Sequence, residues 1–98
     1  MQDLSNRKQR PVLIISNDDY NSNTEDVIVA AITSQLKNTD YSVIIEQKDL
    51  EEGLIKVKSA VRTDKIYTLS KGIIRKKFGK VRPEVLQYVR NNINELIQ

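Results

Sequence analysis

Cysteine and histidine are both absent from this 98-residue chain. Without cysteine there is no disulfide framework, no thiolate zinc site and no thiol nucleophile. Without histidine the imidazole acid–base pair is unavailable, and so is the commonest ligand for transition metals. Aromatics are few: Tyr20, Tyr41, Tyr67, Phe78 and Tyr88. They show no interleaving with the basic residues, which speaks against a non-catalytic RNA-binding module that works by stacking bases. Long apolar runs are missing too. The longest, Val27–Ile32, is six residues, far short of a membrane span. Met1–Arg10 is polar and does not resemble a signal peptide, so a cytoplasmic protein is expected. No acidic pair stands at the end of an apolar strand near Thr33, so neither a metal-dependent hydrolase nor a cofactor site is expected.

What remains is a single domain, residues 1–98, near the low end of what one core can stabilise. There are no internal repeats and no low-complexity segments. Sixteen basic and thirteen acidic residues leave a net charge of +3, which permits an RNA partner without demanding one. The distribution is more informative than the sum. Lys71, Arg75, Lys76, Lys77, Lys80 and Arg82 crowd into one stretch, and Arg7, Lys8 and Arg10 into another. Acidic residues gather at Asp18-Asp19, Glu25-Asp26 and Asp49-Glu51-Glu52. A segregated basic face suits a phosphate backbone or an acidic partner segment, and equally a solvated edge strand.

Periodicity predicts strands followed by a helix. Pro11 fits a strand's first position, and Val12–Ser16 reads as a buried strand. Asn17–Asn23 is dense in turn formers and is expected to be a loop. Val27–Thr33 and Tyr41–Glu46 read as strands, Asp49–Gly53 as one helical turn closed by Gly53, and Leu54–Ile66 as a longer strand. The region Ile73–Val81 carries a last short strand bent at Gly79. Pro83 is preset for a helix N-terminus and Glu84 suits its positive end. Val85, Leu86, Val89, Ile93, Leu96 and Ile97 then form an apolar stripe at helical spacing. Such a pattern predicts a small, strongly curved antiparallel sheet or partial barrel with one helix packed on it.

One constellation carries chemistry. Arg10 stands at the start of the first strand and Thr33-Ser34 at the end of the next. Antiparallel pairing would bring strand start and strand end together, setting a guanidinium beside two hydroxyls, a grouping that suits an anion such as phosphate. RNA brings its own nucleophile, the 2′-hydroxyl, so a site that positions it and stabilises the crowded phosphorane is sufficient for cleavage.

The residues around this patch resemble the MazF/PemK family of toxin endoribonucleases. Asp3-Leu4-Ser5-Asn6-Arg7-Lys8-Gln9-Arg10-Pro11-Val12-Leu13-Ile14-Ile15-Ser16-Asn17-Asp18 is similar to the family's second-strand segment, and Ala31-Ile32-Thr33-Ser34 to its next strand end. Gly53-Leu54, Ser59-Ala60-Val61-Arg62-Thr63-Asp64-Lys65-Ile66 and Lys77-Phe78-Gly79-Lys80-Val81 follow in the family's order. The resemblance runs from about Asp3 to the C-terminus. It implies a mainly β domain with a C-terminal helix, the small SH3-like barrel of the CcdB/PemK-type toxins. It implies an endoribonuclease of a type II toxin–antitoxin system that cuts single-stranded RNA without a metal, leaving a 2′,3′-cyclic phosphate. Arg10 and Thr33 would be catalytic, and Arg7, Lys8, Ser34, Gln35 and Arg62 would bind RNA. A homodimer and an acidic antitoxin partner are implied as well.

Two departures stand out. Relatives open with a Gly-Asp-Ile-Val-Leu-Val-type strand where this chain has Met1-Gln2, so a domain lacking the family's first strand is expected. Many also carry Gly-Ser-Glu-Gln before Arg-Pro, where this chain has Ser5-Asn6-Arg7-Lys8-Gln9, so a carboxylate that could act as base has no counterpart. The alternatives are an inactive remnant that only binds an antitoxin, or a CcdB-like toxin that is not a nuclease. The latter would act through its C-terminal residues, which here read as a packing stripe, Leu96-Ile97.

Overall fold

The computed structural model describes residues 10–37 and 40–98. Six strands and two helices follow one another as β1 (Val12–Ile14), α1 (Asp18–Asn23), β2 (Asp26–Thr33), β3 (Ser42–Ile45), β4 (Leu50–Gly53), β5 (Ser59–Ser70), β6 (Gly79–Val81) and α2 (Pro83–Ile97). Four strands form an antiparallel sheet in the order β1-β2-β5-β3, while β4 and β6 make a separate pair. The sheet curls into a half-barrel with α2 packed on it.

Side chains alternate across the strands, so β1, β2, β3 and β5 each offer one face to the core that α2 covers. Ala30, Val43, Ile45 and Val61 are buried with Val89 of α2. Leu13, Ile15, Ile32, Ile55, Val85 and Ile93 pack around that cluster. Removing this apolar surface from water is the main stabilising term at about 25 cal/mol per Å². Arg90 of α2 donates from Nε to the carbonyl of Ile15 at 3.0 Å, which ties the helix to the end of β1.

Several expected boundaries shift for identifiable reasons. The segment expected as a loop after β1 folds into α1, because Asn17 caps it by accepting from the Tyr20 N–H at 2.8 Å and Asp18 and Asp19 occupy its first turn. The helical turn expected at Asp49–Gly53 lies earlier, as a 3₁₀ turn at Gln47–Asp49, and Leu50–Gly53 is strand β4, held by its ladder with β6. The long strand starts at Ser59 rather than Leu54 and runs on to Ser70, paired with β2 on either side of an interruption at Arg62–Lys65. Lys71–Ile73 is a 3₁₀ turn, so only Gly79–Val81 of the expected last strand is extended and paired. β1 is an edge strand among the described residues: Val12 and Leu13 are half-buried and Ile14 is exposed.

The helix lies where Pro83 and the apolar spacing placed it, and Arg82 gives it no side-chain cap. Its stripe, however, stops packing after Ile93, and Ile97 is 76% exposed. Leu96-Ile97 is therefore not the packing terminus the spacing suggested. The expectations for Arg7 and Lys8, and for a missing opening strand, fall at the chain start, outside the described residues.

Candidate nucleic-acid interface

β1 and β2 pair as Val12↔Ala31, Leu13↔Ala30 and Ile14↔Val29. Ile32 N–H donates to the Pro11 carbonyl at 3.2 Å, which carries the ladder one pair beyond β1. Stepping once more places Arg10 across from Thr33. Hydrogen-bonded pairs fall at Pro11, Leu13 and Ile15, so Arg10 and Thr33 form a non-hydrogen-bonded pair, the arrangement in which facing side chains come closest. Pro11 has no N–H to complete its own pair, so the strand can start there with no donor left over.

The link between the two strands contains α1 and is no tight hairpin, so something else must hold the register. Ser16 does this. Its Oγ accepts from the Ile28 N–H at 2.9 Å, and its hydroxyl also bonds the Asn21 side chain. Asn21 in turn donates to the Ser16 carbonyl at 3.1 Å. A one-residue slip would break this network and turn Arg10 to the opposite face.

Thr33 pairs on its other side with Ala60 of β5, and Ala60 with Ile44 of β3. Leu13, Ala30, Ile32 and Val61 face α2, so alternation puts Arg10, Thr33, Ala60 and Arg62 together on the opposite face. Arg10 is exposed and Thr33 half-buried. The Gln35 N–H donates to Thr33 Oγ1 at 3.1 Å. With one lone pair so engaged, the Thr33 hydroxyl keeps its proton for donation to an acceptor in front of the sheet. Ser34 and Gln35 follow as exposed residues at the strand end.

Arg62 has different surroundings. Ala30 pairs with Ile66 and Ile32 with Val61, so four residues of β5, Arg62–Lys65, stand against the single Ala31. Such bulges re-aim side chains. Here Arg62 makes a two-pronged pair with Asp64, Nε and a terminal nitrogen each donating at 2.9 Å. Those hydrogen bonds raise the Arg62 pKa and hold the Asp64 carboxyl below its usual range. Arg62 thus shares the face of Arg10 and Thr33 but has committed two of its donors, a constraint the sequence did not reveal.

Of the basic cluster near the C-terminus, Lys71 bonds the Asn21 carbonyl, and Arg82 donates from Nε to the Lys48 carbonyl at 2.8 Å. Arg75, Lys76, Lys77 and Lys80 are exposed. Two surface hollows of the described residues, one beside Phe78 and one between Val43 and Tyr88, do not include Arg10 or Thr33. An open, cationic, hydroxyl-bearing strip is better suited to an extended polyanion than to a small molecule that must be enclosed. Among the described residues no cluster of acidic side chains could hold a metal ion, and no helix is long and apolar enough to cross a membrane.

A curled antiparallel sheet with a C-terminal helix is the architecture of the MazF-type toxins. MazF from Deinococcus radiodurans superposes with a TM-score of 0.74 at 20% identity, over 99% of this chain and 84% of that one. An endoribonuclease from a mycobacterial species gives 0.74 at 24% identity, over 88% and 77%. A MazE–MazF complex from Deinococcus radiodurans gives 0.72 at 25% identity, over 90% and 81%. Comparison with curated proteins finds no match. Residues 3–97 match the family described as "PemK-like, MazF-like toxin of type II toxin-antitoxin system". The chain belongs to that family of type II toxin–antitoxin toxins.

Proposed function

We propose that this toxin is an endoribonuclease that cuts single-stranded RNA, with Arg10 and Thr33 as its catalytic residues. The observation that supports the reading is the β1–β2 register, whose continuation past the Ile32–Pro11 hydrogen bond brings positions 10 and 33 opposite each other on the face away from α2. One of the similar structures is an endoribonuclease, which supports the same reaction class.

In this mechanism the substrate's 2′-hydroxyl attacks the adjacent phosphorus, the P–O5′ bond breaks, and a 2′,3′-cyclic phosphate and a 5′-hydroxyl result. Charge builds on the two non-bridging oxygens as the phosphorane forms. Arg10 meets them with two parallel N–H donors and a full positive charge. Thr33 adds a neutral hydrogen bond from the opposite strand. The Thr33 hydroxyl is already oriented by the Gln35 N–H, so it needs little reorganisation at the transition state. Without an imidazole, rate enhancement rests on positioning and charge. Ser34 and Gln35 extend the strip along the RNA backbone, and Arg62, braced by Asp64, supplies a further cation.

The toxin acts as a homodimer and is held in check by an acidic antitoxin, whose negative segment competes with RNA for the cationic face. A MazE–MazF complex among the similar structures supports such a partner. The test is to incubate the purified chain with a labelled single-stranded RNA and identify the new ends by mass. Fragments ending in 2′,3′-cyclic phosphate are expected. Intact RNA at stoichiometric enzyme, with the protein folded, would refute the reading.

A further inference from the structure

The paired strands β4 and β6 carry a second feature, remote from Arg10 in sequence. Gly53 pairs with Gly79 and Glu52 with Lys80. The next step of that register sets Leu54 opposite Phe78, so Glu52, Leu54, Phe78 and Lys80 share one face. All four are exposed, Leu54 at 76% and Phe78 at 45%.

The exposure of Leu54 is imposed by its neighbours. Gln47 donates from Nε2 to the Gly53 carbonyl at 2.9 Å, and its Oε1 accepts from the Ile55 N–H at 3.1 Å. One side chain thus grips the backbone on both sides of Leu54 while Ile55 turns into the core.

Beside Phe78 lies a hollow of about 280 Å³ lined by Glu52, Gly53, Lys77, Phe78 and Gly79. Its floor is bare backbone. Gly53 has φ of 90°, and a Cβ there would stand 2.2 Å from the Phe78 carbonyl oxygen. A Cβ on Gly79 would come within 2.9 Å of the Glu52 carbonyl oxygen. Lys77 is on its wall, and Lys76 and Lys80, next to the lining residues in the chain, are exposed as well. Phe78 is therefore an exposed aromatic set among cations, contrary to the sequence expectation that aromatic and basic residues do not interleave.

We propose that this hollow is a base-stacking subsite for single-stranded RNA, in which one nucleobase lies against Phe78 while Lys77 and Lys80 hold the flanking phosphates. The inference rests on the ribonuclease reading and extends it to substrate binding beyond the cleaved bond. Stacking on an exposed aromatic beside a cationic groove is the general mode of single-strand binding. Glu52 refines the choice of ligand. Its carboxylate repels phosphate and accepts from an exocyclic amino group, so the hollow takes a base, and one that carries such a group.

The connection to the cleavage patch is short. Gly53 and Ser59 bound a six-residue step that spans at most about 20 Å. Ser59 adjoins Ala60, the β5 partner of Thr33. Exposed Lys56 and Lys58 lie on that step. A strand cut at Arg10 and Thr33 could thus run past Lys58 and Lys56 to Phe78 a few nucleotides away.

The test uses single-stranded RNAs of roughly a dozen nucleotides, within the length range such sites take, carrying 2-aminopurine at successive positions. They are bound to Arg10→Ala protein so that the RNA stays intact. Quenching should concentrate a few nucleotides from the position that wild type cuts. Phe78→Ala, added to this protein, should abolish the quenching and weaken binding roughly tenfold or more. Lys77→Gln should lower the slope of log K against log salt by about 0.7. In protein that retains Arg10, Phe78→Ala should raise KM for long RNA with a far smaller change in kcat. A folded Phe78→Ala protein that binds RNA like its parent overturns the subsite alone. So does a loss confined to binding of an acidic peptide, which would make the hollow a protein-docking site. Failure of the wild-type chain to bind any RNA overturns the ribonuclease reading and the subsite together.

Discussion

Replacing Arg10 by Ala removes a full charge at the position that the continued β1–β2 register brings opposite Thr33. Directly opposed residues have Cβ atoms about 4.5–5.5 Å apart, so both side chains can reach the same phosphate. Loss of a preorganised donor to a developing oxyanion costs roughly a hundredfold to a thousandfold in rate, and a charge-assisted two-pronged contact stands at the upper part of that range. Thr33→Val removes a neutral hydroxyl while keeping the branched shape, so about tenfold is expected from one hydrogen bond worth roughly 1–1.5 kcal/mol.

The two effects should not multiply. Both donors act on the same oxygens, and once Arg10 is gone the substrate has lost the geometry that lets Thr33 contribute. The double variant should therefore fall close to Arg10→Ala alone. Single-turnover cleavage of a labelled single-stranded RNA measures all three. Arg10 is exposed, so its removal should change stability by less than about 0.5 kcal/mol, and thermal unfolding checks this. A folded Arg10→Ala protein cleaving at near wild-type rate would refute the site, and strict additivity would refute a shared phosphate.

Three further outcomes are expected. Cleavage should survive EDTA, because the chain has no His or Cys and its described acidic residues form no metal cluster; loss on chelation with recovery in Mg²⁺ or Mn²⁺ would overturn the mechanism. Gly53→Ala should destabilise the fold by at least ~2 kcal/mol, through its positive φ and the 2.2 Å approach to the Phe78 carbonyl oxygen, lowering Tm by about 10 °C. Sedimentation should show a dimer, and an acidic peptide should displace single-stranded RNA with an affinity that falls as salt rises; a monomer, or undiminished binding of both ligands at once, would contradict this.

The parts of the fold legible in the sequence are those where one local rule acts alone. Pro83, Glu84 and the spacing from Val85 to Ile93 define α2 because position, charge and periodicity agree. Val27–Thr33 reads as a strand because its unbroken β-rich run permits little else. The misreadings have the opposite character, with composition pointing one way and a single contact deciding the other. Asn17–Asn23 is rich in turn formers, yet a side-chain cap on the Tyr20 N–H makes it helical. Leu50–Gly53 looks like a closing helical turn until β6, some thirty residues later, supplies its ladder. Pairing over that distance leaves no local trace.

The same distinction governs the candidate site. Arg10 and Thr33 could be matched from sequence because a strand start and the next strand's end must meet if the strands run antiparallel. The Arg62–Asp64 pair could not be anticipated in this form, since it depends on a bulge that sets four residues of β5 against Ala31. The hollow at Phe78 was masked for a related reason. Lys77-Phe78-Gly79-Lys80 reads as an edge-strand fragment, and nothing within it shows that Leu54 lies opposite or that Gln47 holds Leu54 outward. A residue's chemistry can be read from its own letter, whereas its availability depends on the distant partners that either occupy it or leave it free. Arg62 and Phe78 differ in that respect: the bulge turns Arg62 to Asp64, whereas Phe78, next to the glycine pair, is 45% exposed among the described residues. That contrast makes Phe78, rather than the better-placed Arg62, the stronger candidate for holding RNA beyond the cleaved bond.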